Sequence, residues 1–278
     1  MKNSQKIDNN YRNCPLCGSR EKIVFNKTTI ICNSCSLIYN SKNPPKPENH
    51  WVDFTFDPRV HSYDLQRIKF FKYFWRYVVK ITKKNKGSIL DVGCGPGIIL
   101  KIASEDGWLA EGVEISKEIV DLAQKYSKCT VYLGNIENLD FSEKYDLVLL
   151  VDVFRHLEEP LKILKKCHHL LKNDGYIIIR ELNANNFLNK KRIMLGNQYD
   201  LQFLSKQTAK KFLEKVGFKK IYYCPSPMSF LTISTVRKLP EFLQNIIMNN
   251  ANNIIRFLYL ITGKKIIVTP EVLFIGQK

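Results

Sequence analysis

Two rhythms of apolar and polar positions run through the chain. Ile89–Val92, Leu109–Val113 and Tyr145–Asp152 are short, nearly continuous apolar runs of strand length, which predicts buried strands. Between and around them the apolar positions fall three and four apart. His61–Thr82 reads as a helix with Leu65, Ile68, Phe71, Trp75 and Val78 on one face and Arg67, Lys69, Lys72, Arg76 and Lys80 on the other. Ile98, Leu100, Ile102 and Ala103 begin a second helix. Ser205–Val216 reads as a capped helix stopped by Gly217, and Pro240 and Gly263 bracket a last one over Leu239–Gly263. Strands alternating with helices over some two hundred residues predict an α/β, doubly wound, mostly parallel sheet.

The N-terminal forty residues follow neither rhythm. Cys14-Pro-Leu-Cys17 and Cys32-Asn-Ser-Cys35 are separated by fourteen residues, and alternating stretches over Lys22–Phe25 and Thr28–Ile31 suit a hairpin that brings the pairs together. Four thiolates so gathered suit one structural Zn²⁺, with no coordination position left for water. This resembles a zinc ribbon. The proline-rich stretch 43–47 reads as an extended linker, which divides the chain into a ribbon module at 1–42, a linker at 43–60 and a large domain at 61–278.

Composition narrows the class. Of the 278 residues, 45% are hydrophobic and 25% charged, a globular balance that excludes wholesale disorder. No apolar run reaches the roughly 20 residues that span a bilayer, and the opening residues lack the apolar stretch of a secretory signal. The expectation is a reducing cytoplasm, in which eight cysteines do not form a disulfide framework. The net charge of +17 is uneven: residues 1–86 and 182–278 each carry +11, and residues 87–181 carry −5. Such flanks are either solvated surface or a positive face toward an anionic partner.

Residues 88–97 read Ser-Ile-Leu-Asp-Val-Gly-Cys-Gly-Pro-Gly, a strand, a glycine turn and a helix start. Dinucleotide enzymes use the same logic, but their spacing is G-x-G-x-x-G. Here it is G-x-G-x-G behind an acid, Asp91, which repels a pyrophosphate and suits a cationic ligand. The motif resembles the first motif of the class I S-adenosylmethionine-dependent methyltransferases. That resemblance implies a Rossmann-like core of seven strands. It adds Val131–Leu133 as the third strand, Tyr176–Arg180 as the fifth, and Phe218–Cys224 with Val272–Gly276 as a final antiparallel pair. It implies that Asp91, Gly93, Cys94, Gly95 and Gly97 line S-adenosyl-L-methionine, with Val151 at the end of the fourth strand. Glu114 would take the ribose hydroxyls, Asn135 would accept from the adenine amino group, and Ile115 and Ile136 would enclose the adenine ring.

The substrate side is less defined. In Val153-Phe-Arg-His-Leu157, Arg155 stands where the family usually has Glu. His156 is the first candidate general base and Asp152 the second, with loop-ordering and helix-capping as their structural alternatives. Related ribbon-bearing sequences often carry a His just before 199–205; this chain has none there, which leaves Tyr199 or Asp200 as substitutes. The leading expectation is methyl transfer to a small-molecule, glycan or lipid-linked acceptor, at oxygen. Two others stay open: an RNA methyltransferase using the ribbon and basic flanks, and a non-enzymatic ribbon protein with a vestigial core. Leu239–Gly263 reads as core, as a contact between copies, or as peripheral contact with the inner face of a membrane through Lys264 and Lys265. The oligomeric state is not legible.

Overall fold

A computed structural model describes residues 12–40 without 25 and 27, residues 62–187 without 143, residues 189 and 193, and residues 200–227, 239–263 and 269–278. The linker 43–60, together with Phe25, His61, Tyr199, Lys264 and Lys265, lies outside the described residues.

The large domain is built on seven strands: β4 (Ser88–Val92), β5 (Leu109–Glu114), β6 (Thr130–Leu133), β7 (Tyr145–Val151), β8 (Leu171–Leu182), β10 (Lys220–Pro225) and β11 (Glu271–Gln277). Their order is β10-β11-β8-β7-β4-β5-β6. The five central and edge strands β8, β7, β4, β5 and β6 run parallel, and β11 pairs antiparallel with both β8 and β10. The chain reverses its direction of winding between β4 and β7, which places the ligand crevice at the carboxyl ends of those two strands.

Both sheet faces are buried, as a parallel sheet requires. Alternate residues of β7 separate the two cores. Leu147 and Leu149 join Phe74, Trp75, Leu100 and Ala123 on one side, and Val148 and Leu150 join Phe154, Phe212 and Leu213 on the other. The first side is covered by α1 (Ser62–Thr82), α2 (Ile98–Glu105) and α3 (Lys117–Ser127), the second by α4 (Pro160–Leu170) and α5 (Lys206–Val216). The end signals of α5 act as expected: Ser205 caps it through Thr208, and Gly217 ends it at φ +110°. In β8 the strand begins at Leu171, ahead of the expected Tyr176, because Leu171 pairs with Tyr145 and the extra residues before Tyr176 bulge out of β8.

Two expectations need correction. Of the expected α1 face, Ile68, Phe71, Trp75 and Val78 pack on the core, joined by Phe70 and Phe74, but Leu65 is exposed. Trp75 anchors the helix: its Nε1 donates to Asp106 Oδ2 at 2.9 Å and its ring meets Trp108 edge-on. The last helix, α6 (Glu241–Ile261), does not serve as core either. Phe242, Ile246, Ile254, Phe257, Leu260 and Ile261 are exposed, and Tyr259 tethers the helix by donating to the Tyr223 carbonyl at 2.8 Å. No helix among the described residues is long and apolar enough to cross a membrane.

The cysteine module is a small sheet of β1 (Lys22–Val24), β2 (Thr29–Cys32) and β3 (Ile38–Asn40), extended by a strand of the large domain, β9 (Gln202–Phe203). β1 and β2 form the expected hairpin; the β3–β9 pairing has no local sequence signal. Leu16, Ile30, Leu37 and Tyr39 share one apolar core with Phe154, Phe212 and Leu213. Lys211 and Lys215 of α5 donate to the Cys35 and Leu16 carbonyls at 3.2 and 2.7 Å.

One glycine shows how tightly the glycine turn is held. A Cβ on Gly112 would lie 2.7 Å from both Cys94 Sγ and Leu100 Cδ1. Gly112→Ala should cost about 1–3 kcal/mol by overpacking. A lowered thermal midpoint in the ligand-free protein is the expected reading.

Candidate active site and metal centre

The turn after β4 is shaped by backbone that favours glycine: Gly93, Gly95 and Gly97 have φ of +71°, +52° and +76°. Gly93 and Cys94 donate to the Val113 carbonyl, which ties the turn to β5. A Cβ at Gly95 would meet nothing within 4 Å, so the turn faces open space there. The crevice is lined by Asp91, Gly93, Cys94, Gly95, Pro96, Ile98, Ile99, Val151 and Asp152, and α1 contributes Arg67 and Phe71. The sequence placed Arg67 on a solvated face; the structure brings it to the crevice beside Phe71, which also packs on the core as expected.

Asp91 is the electrostatic centre of this crevice. It is 2% exposed, and its Oδ1 has no hydrogen-bond partner. Burial, followed by repulsion from Glu114, raises its pKa to about 7. An acid in that state is short of a cation. Glu114 already accepts from Gly95 N (3.1 Å), Ile115 N (2.8 Å) and Ser116 N (3.3 Å). Its two oxygens offer about four acceptor sites, so Oε2 retains a lone pair for a ligand hydroxyl. Ile115 is half-exposed beside it, whereas Ile136 is buried in the core and offers little surface to a ring. Asn135 caps the short turn Ile136–Asn138: its Oδ1 accepts from Glu137 N at 3.1 Å and its amide donates to Glu137 Oε2. One lone pair of that oxygen remains. Cys94 is buried against Gly112, and its thiol pKa is raised by burial.

After β7 the chain turns through Asp152, a non-glycine residue at φ +61°. Its carboxylate is held by Arg180 and, at 3.3 Å, by Arg155. Burial raises the Asp152 carboxyl, but the two guanidiniums outweigh it, and its pKa lies below the ordinary carboxylate value. Held in this way, Asp152 is a poor base and caps no helix. Arg155 also bonds Glu181 Oε2 at 2.9 Å, and its backbone N–H donates to Glu181 Oε1 at 3.1 Å. Asp200, fully buried, sits 3.2 Å from Arg155 Nε and 3.8 Å from His156 Nδ1. An acid so enclosed cannot reach an acceptor, which removes it as a substitute base. His156 itself is partly exposed. Arg180 and Glu181 carried no functional signal in the sequence, and Asp200 was singled out only as a substitute base, because strand ends and loops bring the three together from distant positions.

Cys14, Cys17, Cys32 and Cys35 come together from the turn before β1 and the turn after β2. Their Sγ atoms all lie within 4.8 Å of one another, with Cys14–Cys35 at 3.4 Å and Cys17–Cys32 at 3.5 Å. Four sulfurs at about 2.3 Å from a tetrahedral ion stand roughly 3.8 Å apart. The donor set and spacing fit a metal site. Burial pushes the Cys14 thiol up to about 11, so a cation is what would hold it as a thiolate. Of the other cysteines, Cys94, Cys167 and Cys224 are buried and Cys129 partly so, without a metal-ligating cluster among the described residues.

Comparison with known proteins agrees with this geometry. Residues 90–179 match the methyltransferase-domain family. The chain is 26% identical over 135 residues to the ubiquinone biosynthesis O-methyltransferase of Coxiella burnetii, covering 46% of this chain and 57% of that protein. It thus spans little more than half the length of that curated relative. Among solved structures it is similar to an S-adenosylmethionine-dependent methyltransferase of Thermotoga maritima, with a TM-score of 0.54, 19% identity, and 80% and 95% of the two chains covered. It is also similar to the plantazolicin methyltransferase in complex with S-adenosylhomocysteine, with a TM-score of 0.53, 20% identity, and 84% and 91% covered. With its seven-stranded order and its glycine turn inside the matched segment, the chain carries a methyltransferase domain on the fold of the class I S-adenosylmethionine-dependent methyltransferases.

Proposed function

We propose that this protein transfers the methyl group of S-adenosyl-L-methionine to a hydroxyl of a small or glycan-type molecule, with a structural Zn²⁺ in its cysteine module. The observation that carries the reading is Asp91, a buried carboxylate with an unpartnered oxygen inside the crevice. It supports a cationic ligand there, and Glu114 supports one with adjacent hydroxyls. The similarity to oxygen methyltransferases supports an oxygen acceptor.

Bound in this crevice, S-adenosylmethionine supplies an electrophilic methyl on a sulfonium. The chain's own residues do the rest. Asp91 balances the ligand's positive charge, Glu114 and Asn135 orient its nucleoside end, and Arg67 and Phe71 close the crevice from above. The acceptor oxygen approaches in line opposite the sulfur, so positioning supplies much of the rate. Its proton passes to His156, on the turn that follows β7, a side-chain type suited to proton transfer near neutrality. Asp152, held ionised at the crevice wall by Arg155 and Arg180, favours a polar acceptor over a bare hydrocarbon.

The test is transfer of labelled methyl from S-adenosylmethionine into fractionated extract, with Asp91→Ala as control. Label in a small-molecule or glycan fraction, reduced about 10²–10⁴-fold in His156→Asn with cofactor binding unchanged, is the expected result. Label in a nuclease-sensitive fraction would replace this acceptor class by RNA.

A further inference from the structure

The Phe154–His156 turn is gripped by a segment that is itself clamped to the cysteine module. Gln202 is fully buried, and both hydrogens of its amide are spent on the turn: Nε2 donates to the Phe154 carbonyl at 2.6 Å and to the Leu157 carbonyl at 2.9 Å. Leu201 N donates to the Arg155 carbonyl at 2.7 Å. Three of the four carbonyls from Phe154 to Leu157 thus accept from two adjacent residues. The next residue back, Asp200, places Oδ1 3.8 Å from His156 Nδ1, beyond hydrogen-bond length but close enough for its charge to favour a hydrogen on that nitrogen. The opposite edge of the same segment belongs to the module. Asn40 N donates to the Leu201 carbonyl at 2.8 Å, and Tyr39 and Ile38 of β3 pair with Gln202 and Phe203.

We infer that Asp200 and Gln202 are positioning residues for His156, and that the cysteine module acts in the large domain by holding the strand that carries them. Asp200 keeps the imidazole in the tautomer with hydrogen on Nδ1, which leaves Nε2 as the accepting nitrogen. Gln202 fixes the turn so that this pairing is maintained. Gln202 Oε1 has no partner while its amide nitrogen has two, so this buried side chain is used only as a double donor. This role rests on the proposed function for its use in catalysis, but the tautomer does not depend on the acceptor or on turnover.

The experiment is ¹⁵N spectroscopy of the imidazoles in the full-length, metal-loaded protein above pH 8, with His156 assigned by His156→Asn. The pyrrole-type resonance of His156 should belong to Nδ1 in the wild type. In Asp200→Asn the amide offers a donor to Nδ1, and the pyrrole-type resonance should move to Nε2. In Gln202→Met, of similar length but without donors, both tautomers should be present. Thermal melting and binding of S-adenosylmethionine show whether each variant is folded; if Gln202→Met does not fold, Asp200→Asn decides. A folded Asp200→Asn protein whose His156 keeps the wild-type tautomer would overturn the inference. A shifted tautomer with unchanged methyl transfer would uphold the positioning and remove His156 as the base, so the two ideas fail separately.

Discussion

Asp91→Asn should weaken binding of S-adenosylmethionine by about 10²–10³-fold. The variant keeps size and shape, and it removes one member of a buried charge pair, a change that costs about 3–5 kcal/mol when the other charge is left behind. The pH dependence separates this cause from a general loosening of the site. The carboxyl ionises near its usual 3.8 in the unfolded chain and near 7 in the folded one. Between those values the folded chain holds the extra proton, so without ligand the Asp91 contribution to stability is lost as pH rises from about 4 through 7. Asp91→Asn lacks that slope and should therefore be the more stable protein at pH 8, with the difference shrinking toward pH 4. Ligand affinity runs the other way. The wild type should bind more tightly as pH rises through 7 and the acid ionises, while the variant stays flat over that range. Calorimetric titration at pH 6 and 8, paired with melting curves, reads both. A weakened variant with the wild-type pH slope would place the ionising group elsewhere.

The second large effect is expected from the metal. Cys17 is the exposed member of the cysteine cluster, so Cys17→Ser removes a ligand with little loss of packing. The other three cysteines lie in the same apolar core as Phe212 and Leu213 of the large domain. Loss of the ion should therefore destabilise the whole chain in one transition, because no boundary free of contacts separates the module from β9 and α5. A zinc site supplies roughly 10–16 kcal/mol of apparent binding energy in small isolated modules. If a third of that reached the domain, the melting midpoint would fall by on the order of 10 °C, at about 2–4 °C per kcal/mol. The expected observations are one zinc per wild-type chain by elemental analysis, its loss in Cys17→Ser, and a single melting transition displaced downward. An early separate transition, with the main one unmoved, would show a module that folds on its own account.

The parts legible in the sequence were those in which neighbouring residues make the structure. Ile89–Val92 with the glycine spacing announced β4 and its turn, Ser205 and Gly217 announced α5, and the two cysteine pairs announced a four-sulfur cluster. What stayed hidden depends on pairing across long separations. Nothing in Gln202-Phe203 distinguishes a two-residue strand, since its partner is β3, more than 160 residues earlier. Asp200 read as a substitute base, and its place beside Arg155 and His156 stayed hidden because they reach it only after the turn following β7 has folded. The face of α1 was legible in its middle and not at its margins: Leu65 is exposed, while Phe70 and Phe74 join the core because aromatic residues crowd both sides of that helix. Ile136 shows the limit of a motif: it stands at the matching position, yet the core takes the side chain.

The most direct measurement is an equilibrium titration of the intact, zinc-loaded wild-type protein with S-adenosyl-L-methionine. The expected result is saturable binding at one site per chain, strengthened as pH rises through 7 and lost together with Asp91 and Glu114. Absence of binding by a folded, metal-replete protein, or binding that Asp91→Asn and Glu114→Ala leave untouched, would contradict it.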